Sequence, residues 1–335
     1  MSKKLNNSEL YFIIEEGQFN EGAFDKAIAM IEVAGKTGAN AIEFQLAYAD
    51  DFYIKSENGY SIYKKREFSD DQLKELVSFT HKQKLDFIAT CLSHKLVKKM
   101  ASFGADSFNI NASDINNPAI VDEVVNTTMP FFVSMPLATT DEIDWVINKI
   151  NKINKNADFS LLHGQHPMAS GKEFVEIEDT ALGFINTARN KYGRPVGFID
   201  HTSNIFMPAI AVAASAQIIS KHMTLSHVYH GPDYTICLDP AEMQKSITLA
   251  RQVFKSISIS DKKLAHGEAD IDKAVMRRSI VSARSIKKGK VISYEDISFK
   301  RPGTGISPDN AENLIGKTAK ENIAEDMLIN YSMFF

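Results

Sequence analysis

Between residues 10 and 256 the chain alternates, eight times over, a short apolar run with a longer segment whose apolar residues recur at helical spacing. Strands and helices in strict alternation are the pattern of a parallel sheet covered by helices. The predicted strands are 10–14, 41–44, 87–90, 107–110, 131–134, 160–163, 196–199 and 217–221. Helices are predicted at 25–36, 70–82, 95–103, from about Pro118, at 139–153, 179–191, 207–216 and 240–256. Ser69 is a predicted N-cap, and Thr139-Thr140-Asp141-Glu142 places acids at a helix start, where the dipole favours them. Eight strand–helix units over about 250 residues make an α/β chain with a (β/α)8 TIM barrel. A doubly wound open sheet, the alternative, usually carries a Gly-rich phosphate loop after its first strand. The first turn here reads Glu15-Glu16-Gly17-Gln18-Phe19-Asn20, which is not such a loop.

A polar, aromatic insertion at 48–68 separates the second strand from its helix. Residues 260–274 are polar and aperiodic and read as a linker between a barrel domain, 1–259, and a small C-terminal domain, 275–335. In that domain Arg278-Ser279-Ile280-Val281 is strand-like, and Arg301-Pro302-Gly303-Thr304-Gly305-Ile306 is a Gly/Pro-rich loop. A β-rich piece of about 60 residues has a marginal core alone and is expected to pack on something.

The totals exclude several classes. A net charge of −4 provides no footprint for nucleic acid or an anionic membrane. Two cysteines far apart in sequence, Cys91 and Cys237, suit a reducing cytoplasm rather than a disulfide framework. Residues 1–7 are polar and do not look like a signal peptide, and no apolar run approaches the ~20 residues that span a bilayer. A soluble, cytoplasmic protein is expected.

In such barrels the chemistry collects at the C-terminal ends of the strands. The polar residues there are Glu15 or Glu16, Gln45, Thr90, Asn109 to Asp114, Ser134, His163, His201 and His222. His201 and His222 end the seventh and eighth strands, and neighbouring imidazoles can converge on one divalent ion. A first-strand glutamate then serves as acid/base, and Asp233 and Asp114 hold hydroxyls of a polar substrate. His163, His166, His227 and His230 rank behind, because none has a second histidine at the end of an adjacent strand.

Taken together, Ile14-Glu15-Glu16-Gly17, Phe44-Gln45, Asp200-His201-Thr202, Lys221-His222-Met223-Thr224-Leu225, Gly231-Pro232-Asp233 and the 278–306 tail resemble the nonulosonate (sialic acid) synthases. The resemblance covers almost the whole chain in the right order, and the tail, similar to the family's antifreeze-like (SAF) domain, is its most specific part. It implies condensation of phosphoenolpyruvate with an N-acylated hexosamine, such as N-acetylmannosamine, to a nine-carbon 2-keto sugar acid with release of phosphate. It also implies a divalent metal, manganese or magnesium, on His201 and His222, with Glu15 as the catalytic glutamate. Asp233 and Asp114 match acids near the sugar. Arg301 matches an arginine that reaches the partner's sugar site in the family's domain-swapped homodimers.

The departures cluster in the phosphate half. The family's Lys-Phe-Gln is Glu43-Phe44-Gln45 here, its fourth-strand lysine is Asn109, and the glutamate of Glu-Lys-His is Ser220. With those cations replaced, Thr90, Ser134 and neutral amides are expected to contribute more to donor binding. Two other readings follow from the same residues: an aldolase or lyase of this fold using a donor such as pyruvate, and a sugar-binding homologue without catalysis.

Overall fold

Eight strands close into a barrel in chain order: β1 (Tyr11–Glu15), β2 (Ala41–Leu46), β3 (Asp86–Cys91), β4 (Ser107–Ile110), β5 (Phe131–Ser134), β6 (Phe159–His163), β7 (Val196–Asp200) and β8 (Ile218–His222). Each is parallel to its neighbours, and β8 returns to pair with β1. The computed structural model describes residues 9–167, 173–258 and 269–335. Residues 1–7 and most of the predicted linker lie outside these.

Side chains alternate across a strand, so the barrel has two cores. The inward faces contribute Tyr11, Ile13, Ala41, Ile88, Phe132, Leu162, Ile199 and Ile218, which fill the lumen. The outward faces carry Phe12, Ile14, Phe44, Phe108, Phe198 and Ile219 into the layer under the helices. Burial on both faces explains why the strands read as continuous apolar runs. Gly197 leaves no room for a side chain in the lumen. A Cβ there would lie 2.6 Å from the Ile218 carbonyl oxygen and 2.8 Å from a Leu162 methyl.

Helix α1 (Phe24–Thr37) buries Ala27, Met30, Ile31 and Ala34, spaced i, i+3, i+4 and i+7, and stops at Gly38 in the left-handed region. Two short helices, α2 (Ala49–Phe52) and α3 (Asn58–Lys65), fold the insertion that the sequence pattern leaves unassigned. Neither is long enough to display a period. What holds them is an aromatic cluster of Phe52, Tyr53 and Tyr63, with ring centroids 4.7 to 5.4 Å apart.

Helix α4 (Asp70–Lys82) opens on the predicted Ser69, whose Oγ accepts from Gln72 N while Gln72 Oε1 accepts from Ser69 N. Helices α5 (His94–Phe103) and α6 (Pro118–Asn126) follow, and α7 (Thr140–Ile153) has the same reciprocal cap from Thr139 and Glu142. Each cap is worth about 1 kcal/mol. Helix α8 (Phe184–Tyr192) begins later than the pattern predicts, because Ile177–Thr180 is a 3-10 turn. Helices α9 (Met207–Ala213) and α10 (Pro240–Ser258) complete the ring. No helix among the described residues is long and apolar enough to cross a membrane.

The chain divides into two units, Met1–Ser258 and Ile259–Phe335. The second contains α11 (Ala269–Met276) and an antiparallel pair, β9 (Ser279–Ser282) and β10 (Ile297–Lys300), around Ile280, Ile286, Ile292, Leu314, Ile329 and Phe334. Buried Asp296 joins Arg284 Nε at 2.7 Å and Lys290, which hold its carboxyl far below the usual range against the cost of burial. Helix α11 replaces the C-terminal part of the predicted linker. The Ala274 carbonyl near its end accepts from Gly303 N at 2.8 Å, a contact nearly thirty residues away in sequence and invisible to a local pattern.

Candidate active site

The β1–β8 register places Glu15 opposite His222, and the β1–β2 register places Glu15 opposite Glu43. All three therefore continue the inward rows at the top of the lumen. Above them lies a cavity of about 270 Å³ at the C-terminal ends of the strands, lined among others by Glu15, Gln45, Ser134, His201, His222 and Asp233. These residues lie more than 200 positions apart along the chain and are brought together only by closure of the barrel. Glu16, the other first-strand candidate, is not among the lining residues. Its Oε1 instead accepts from the backbone and side-chain nitrogens of Asn20, which holds the turn after β1.

His222 Nε2 lies 3.4 Å from Glu15 Oε1, and the His201 and His222 rings are 5.2 Å apart, centroid to centroid. Burial pushes both imidazoles below their ordinary range. For His201 the neighbouring imidazoles of His222 and His166 add to the effect. Neutral histidines are the form that ligates metals. The buried Nδ1 atoms of His201 and His222 have no hydrogen-bond partner. Two neutral, partly unsatisfied imidazoles beside a carboxylate fit a divalent ion. Gly17, at φ +59°, makes room for this arrangement, since a Cβ there would lie 2.6 Å from His222 Cδ2.

Burial likewise raises the Glu15 carboxyl to about 7, with Gln45 opposing and Asp233 adding to the shift. Gln45 Nε2 donates to Glu15 Oε1 at 2.8 Å, and Gln18 Nε2 donates to Gln45 Oε1 at 3.1 Å. The series ends at Arg66, whose guanidinium donates to Gln18 Oε1. Asp233, at φ +59°, is fixed from behind by the Cys237 thiol, which donates to its carbonyl.

Two predicted residues of the barrel sit elsewhere. Thr90 is fully buried and its hydroxyl donates to Glu43 Oε1, a layer below the cavity. Asp114 belongs to the turn before α6, where it accepts from Asn117 Nδ2 at 2.8 Å and Ser113 Oγ at 3.1 Å. Arg301 lies in the second unit. Of the secondary histidines, His166 does line the cavity, with its ring 5.0 Å from His201. His163 lies on the outward face of β6, against Phe184 and the Thr180 and Ala181 carbonyls. His230 stacks on Tyr234. His227, Asp239 and Glu242 bring ligand atoms within 4.8 Å of one another. Asp239 and Glu242 are occupied there in a reciprocal bond across the first turn of α10, and His227 closes on Glu242 at 2.7 Å.

Glu43 is built into the wall rather than left facing the cavity. Its Oε1 accepts from Thr90 and from Asn109 Nδ2 at 2.6 Å, and Asn109 Oδ1 accepts from Ser134 Oγ at 2.9 Å. Burial and then the Glu15 charge raise its carboxyl to about 7. Lys221, between two inward-facing residues of β8, points outward, fully buried, with Nζ 3.0 Å from Asp200 Oδ2. No lysine amine lines the cavity among the described residues. Arg66, Gln18, Tyr63 and Phe52 also line it and were not among the predicted site residues. For Arg66, Tyr63 and Phe52 the one signal was the polar, aromatic insertion at 48–68.

Residues 30–262 match the NeuB family and residues 277–334 the SAF domain. An uncharacterised protein of Methanocaldococcus jannaschii is 33% identical over 97% of this chain and 95% of its own length. The N,N'-diacetyllegionaminic acid synthase of Legionella pneumophila is 26% identical over 94% of this chain and 91% of its own. Among solved structures, the N-acetylneuraminic acid (sialic acid) synthetase of Leptospira borgpetersenii superposes with a TM-score of 0.72 at 26% identity, covering 79% of this chain and 90% of that one. With a family match over most of the barrel, a full-length relative and the expected C-terminal domain, this chain belongs to the NeuB family of nonulosonate synthases and is a carbon–carbon bond-forming transferase.

Proposed function

We propose that the enzyme condenses phosphoenolpyruvate with an N-acylated hexosamine, N-acetylmannosamine-like, to a nonulosonic 2-keto acid, with release of phosphate. The observation that carries this reading is the convergence of Glu15, Gln45, His201, His222 and Asp233 on one cavity at the C-terminal mouth of the barrel. His201 and His222 would hold a divalent ion, manganese or magnesium. When bound, that ion supplies Lewis-acid polarisation of the sugar's aldehyde oxygen. Glu15 accepts or delivers a proton at Oε1, and a carboxyl raised to about 7 is suited to doing either near neutral pH. Gln45 keeps that oxygen aimed by donating to it. Asp233 accepts sugar hydroxyls, and Ser134, held by Asn109, presents a hydroxyl to the donor. Thr90 and Asp114 act from behind the wall, through Glu43 and through the turn before α6. Arg301 completes the sugar site from a partner subunit in a domain-swapped homodimer.

The outward, ion-paired position of Lys221 gives no support to a Schiff base with pyruvate. The test is direct. Purified protein, manganese or magnesium, phosphoenolpyruvate and a panel of N-acylated hexosamines should release phosphate with one sugar and yield a 2-keto acid of the condensed mass. No phosphate with any sugar overturns the proposal, and calorimetric binding of a hexosamine without turnover would make the chain a sugar-binding homologue instead.

A further inference from the structure

The donor proposed above is acidic, yet the cavity wall is poor in cations. Glu15 and Asp233 line it, Glu43 lies directly behind, and its three histidines are His166, His201 and His222. Lys221 faces away. Among the described residues, one lining side chain carries a permanent positive charge, and it is Arg66.

Arg66 ends α3, in the insertion between β2 and α4. Lys64 pairs with Asp50 at 3.2 Å and with Glu67 at 3.0 Å, and Lys99 pairs with Asp70 at 2.7 Å. Arg66 has no carboxylate at ion-pair distance among the described residues. Its guanidinium lies over the Tyr63 ring, 5.5 Å from the centroid, and donates to Gln18. A guanidinium has five N–H groups in a planar fork, so a single neutral acceptor leaves most of the fork unused. The Gln18–Gln45–Glu15 series then fixes where that fork stands relative to the reacting carboxylate.

We infer that Arg66 is the anion-recognising residue of this cavity, binding the carboxylate or the phosphate of the acidic substrate through its guanidinium fork. The Tyr63 ring and the Gln18 bond together restrain the guanidinium, so less rotamer freedom remains to be lost on binding. An acidic ligand entering past Glu15 and Asp233 is repelled, and a guanidinium lining the same cavity offsets that repulsion. The helical folding of the insertion therefore sets the charge selectivity of the site, through a residue outside the strand ends.

This inference rests on the proposed use of an acidic donor, and its test has an arm independent of turnover. Full-length protein is titrated calorimetrically with inorganic phosphate and, separately, with pyruvate, which carries a carboxylate and no phosphate. Wild type should bind one of the two. Arg66→Gln should bind that ligand about 10- to 100-fold more weakly, and Arg66→Lys should recover part of the loss. The ligand whose binding is lost names the group. In the kinetic arm, KM for phosphoenolpyruvate should rise by a similar factor in Arg66→Gln while KM for the sugar stays unchanged, a split that a merely structural role would not produce. Equal binding by wild type and Arg66→Gln, or no binding of either anion by wild type, overturns the inference. If Arg66→Gln does not fold, phenylglyoxal labelling of wild type with peptide mapping decides. Protection of Arg66 by phosphate or pyruvate supports the inference, and labelling unaffected by both overturns it. Absence of any sugar-dependent phosphate release would remove the proposed function and leave the binding arm to judge Arg66 alone.

Discussion

Replacing Glu43 by glutamine reads out the carboxylate built into the wall beneath the cavity. Glu43 is 1% exposed, and burial together with the neighbouring Glu15 charge raises its carboxyl from 4.5 to about 7. A group that binds its proton more tightly folded than unfolded makes no differential contribution below pH 4.5, where both states are protonated. Between 4.5 and about 7 the unfolded chain has released the proton and the folded one keeps it, so stability falls as pH rises. Above that range the full cost of a buried carboxylate, about 3 kcal/mol, is present. Glu43→Gln keeps the shape and the acceptor used by Thr90 and Asn109. Its amide nitrogen falls where Glu43 Oε2 already lacks a partner, so near pH 5 the exchange is close to neutral. The assay is urea unfolding of wild type and variant from pH 5 to 9 with EDTA present. The variant's advantage should grow from near zero at pH 5 to about 3 kcal/mol at pH 8, or about 1 M in midpoint for an m-value of ~3 kcal/mol/M. An advantage independent of pH, or a variant less stable at pH 8, would refute the reasoning, because Glu43 would then be a compensated anion in the folded wall.

Four other outcomes are expected. His201→Ala and His222→Ala should each weaken manganese binding at least about 100-fold, read by paramagnetic resonance of the free ion, with the far-ultraviolet dichroism unchanged. Lys221→Met leaves Asp200 buried and unpaired, and should lower stability by about 3–5 kcal/mol in denaturant unfolding; borohydride with pyruvate should add no mass to Lys221 in wild type. Gln45→Leu removes the bond that lowers the Glu15 carboxyl, so the acidic limb of the pH–rate profile should move to higher pH as kcat falls. Gly17→Ala should displace the His222 ring, and cost metal affinity as well as backbone strain at φ +59°, measured by the same manganese titration.

The sequence by itself determined the barrel, because alternating periods of apolar residues are local and each strand and each helix shows its own period within a short stretch of chain. It also marked His201, His222 and the pair Glu15 and Glu16 by their place at strand ends, and the family resemblance singled out Glu15 of the two. The Ser69 cap was legible for the same reason, a cap being a contact between residues three apart, whereas Thr139, expected inside its helix, is the cap of α7. What a strand end faces was decided only by register. Thr90 and Gln45 are cross-strand partners, yet Gln45 reaches Glu15 while Thr90 is occupied by Glu43. Asp114 lies four residues past its strand, and its turn binds it before any ligand could. Arg66 was beyond local reading altogether. Its place in the cavity depends on two helices too short to carry a period, held by aromatic packing and aimed by glutamines from two other segments. Contacts among segments distant in sequence have no local signature, and the charge balance of this site is made of such contacts.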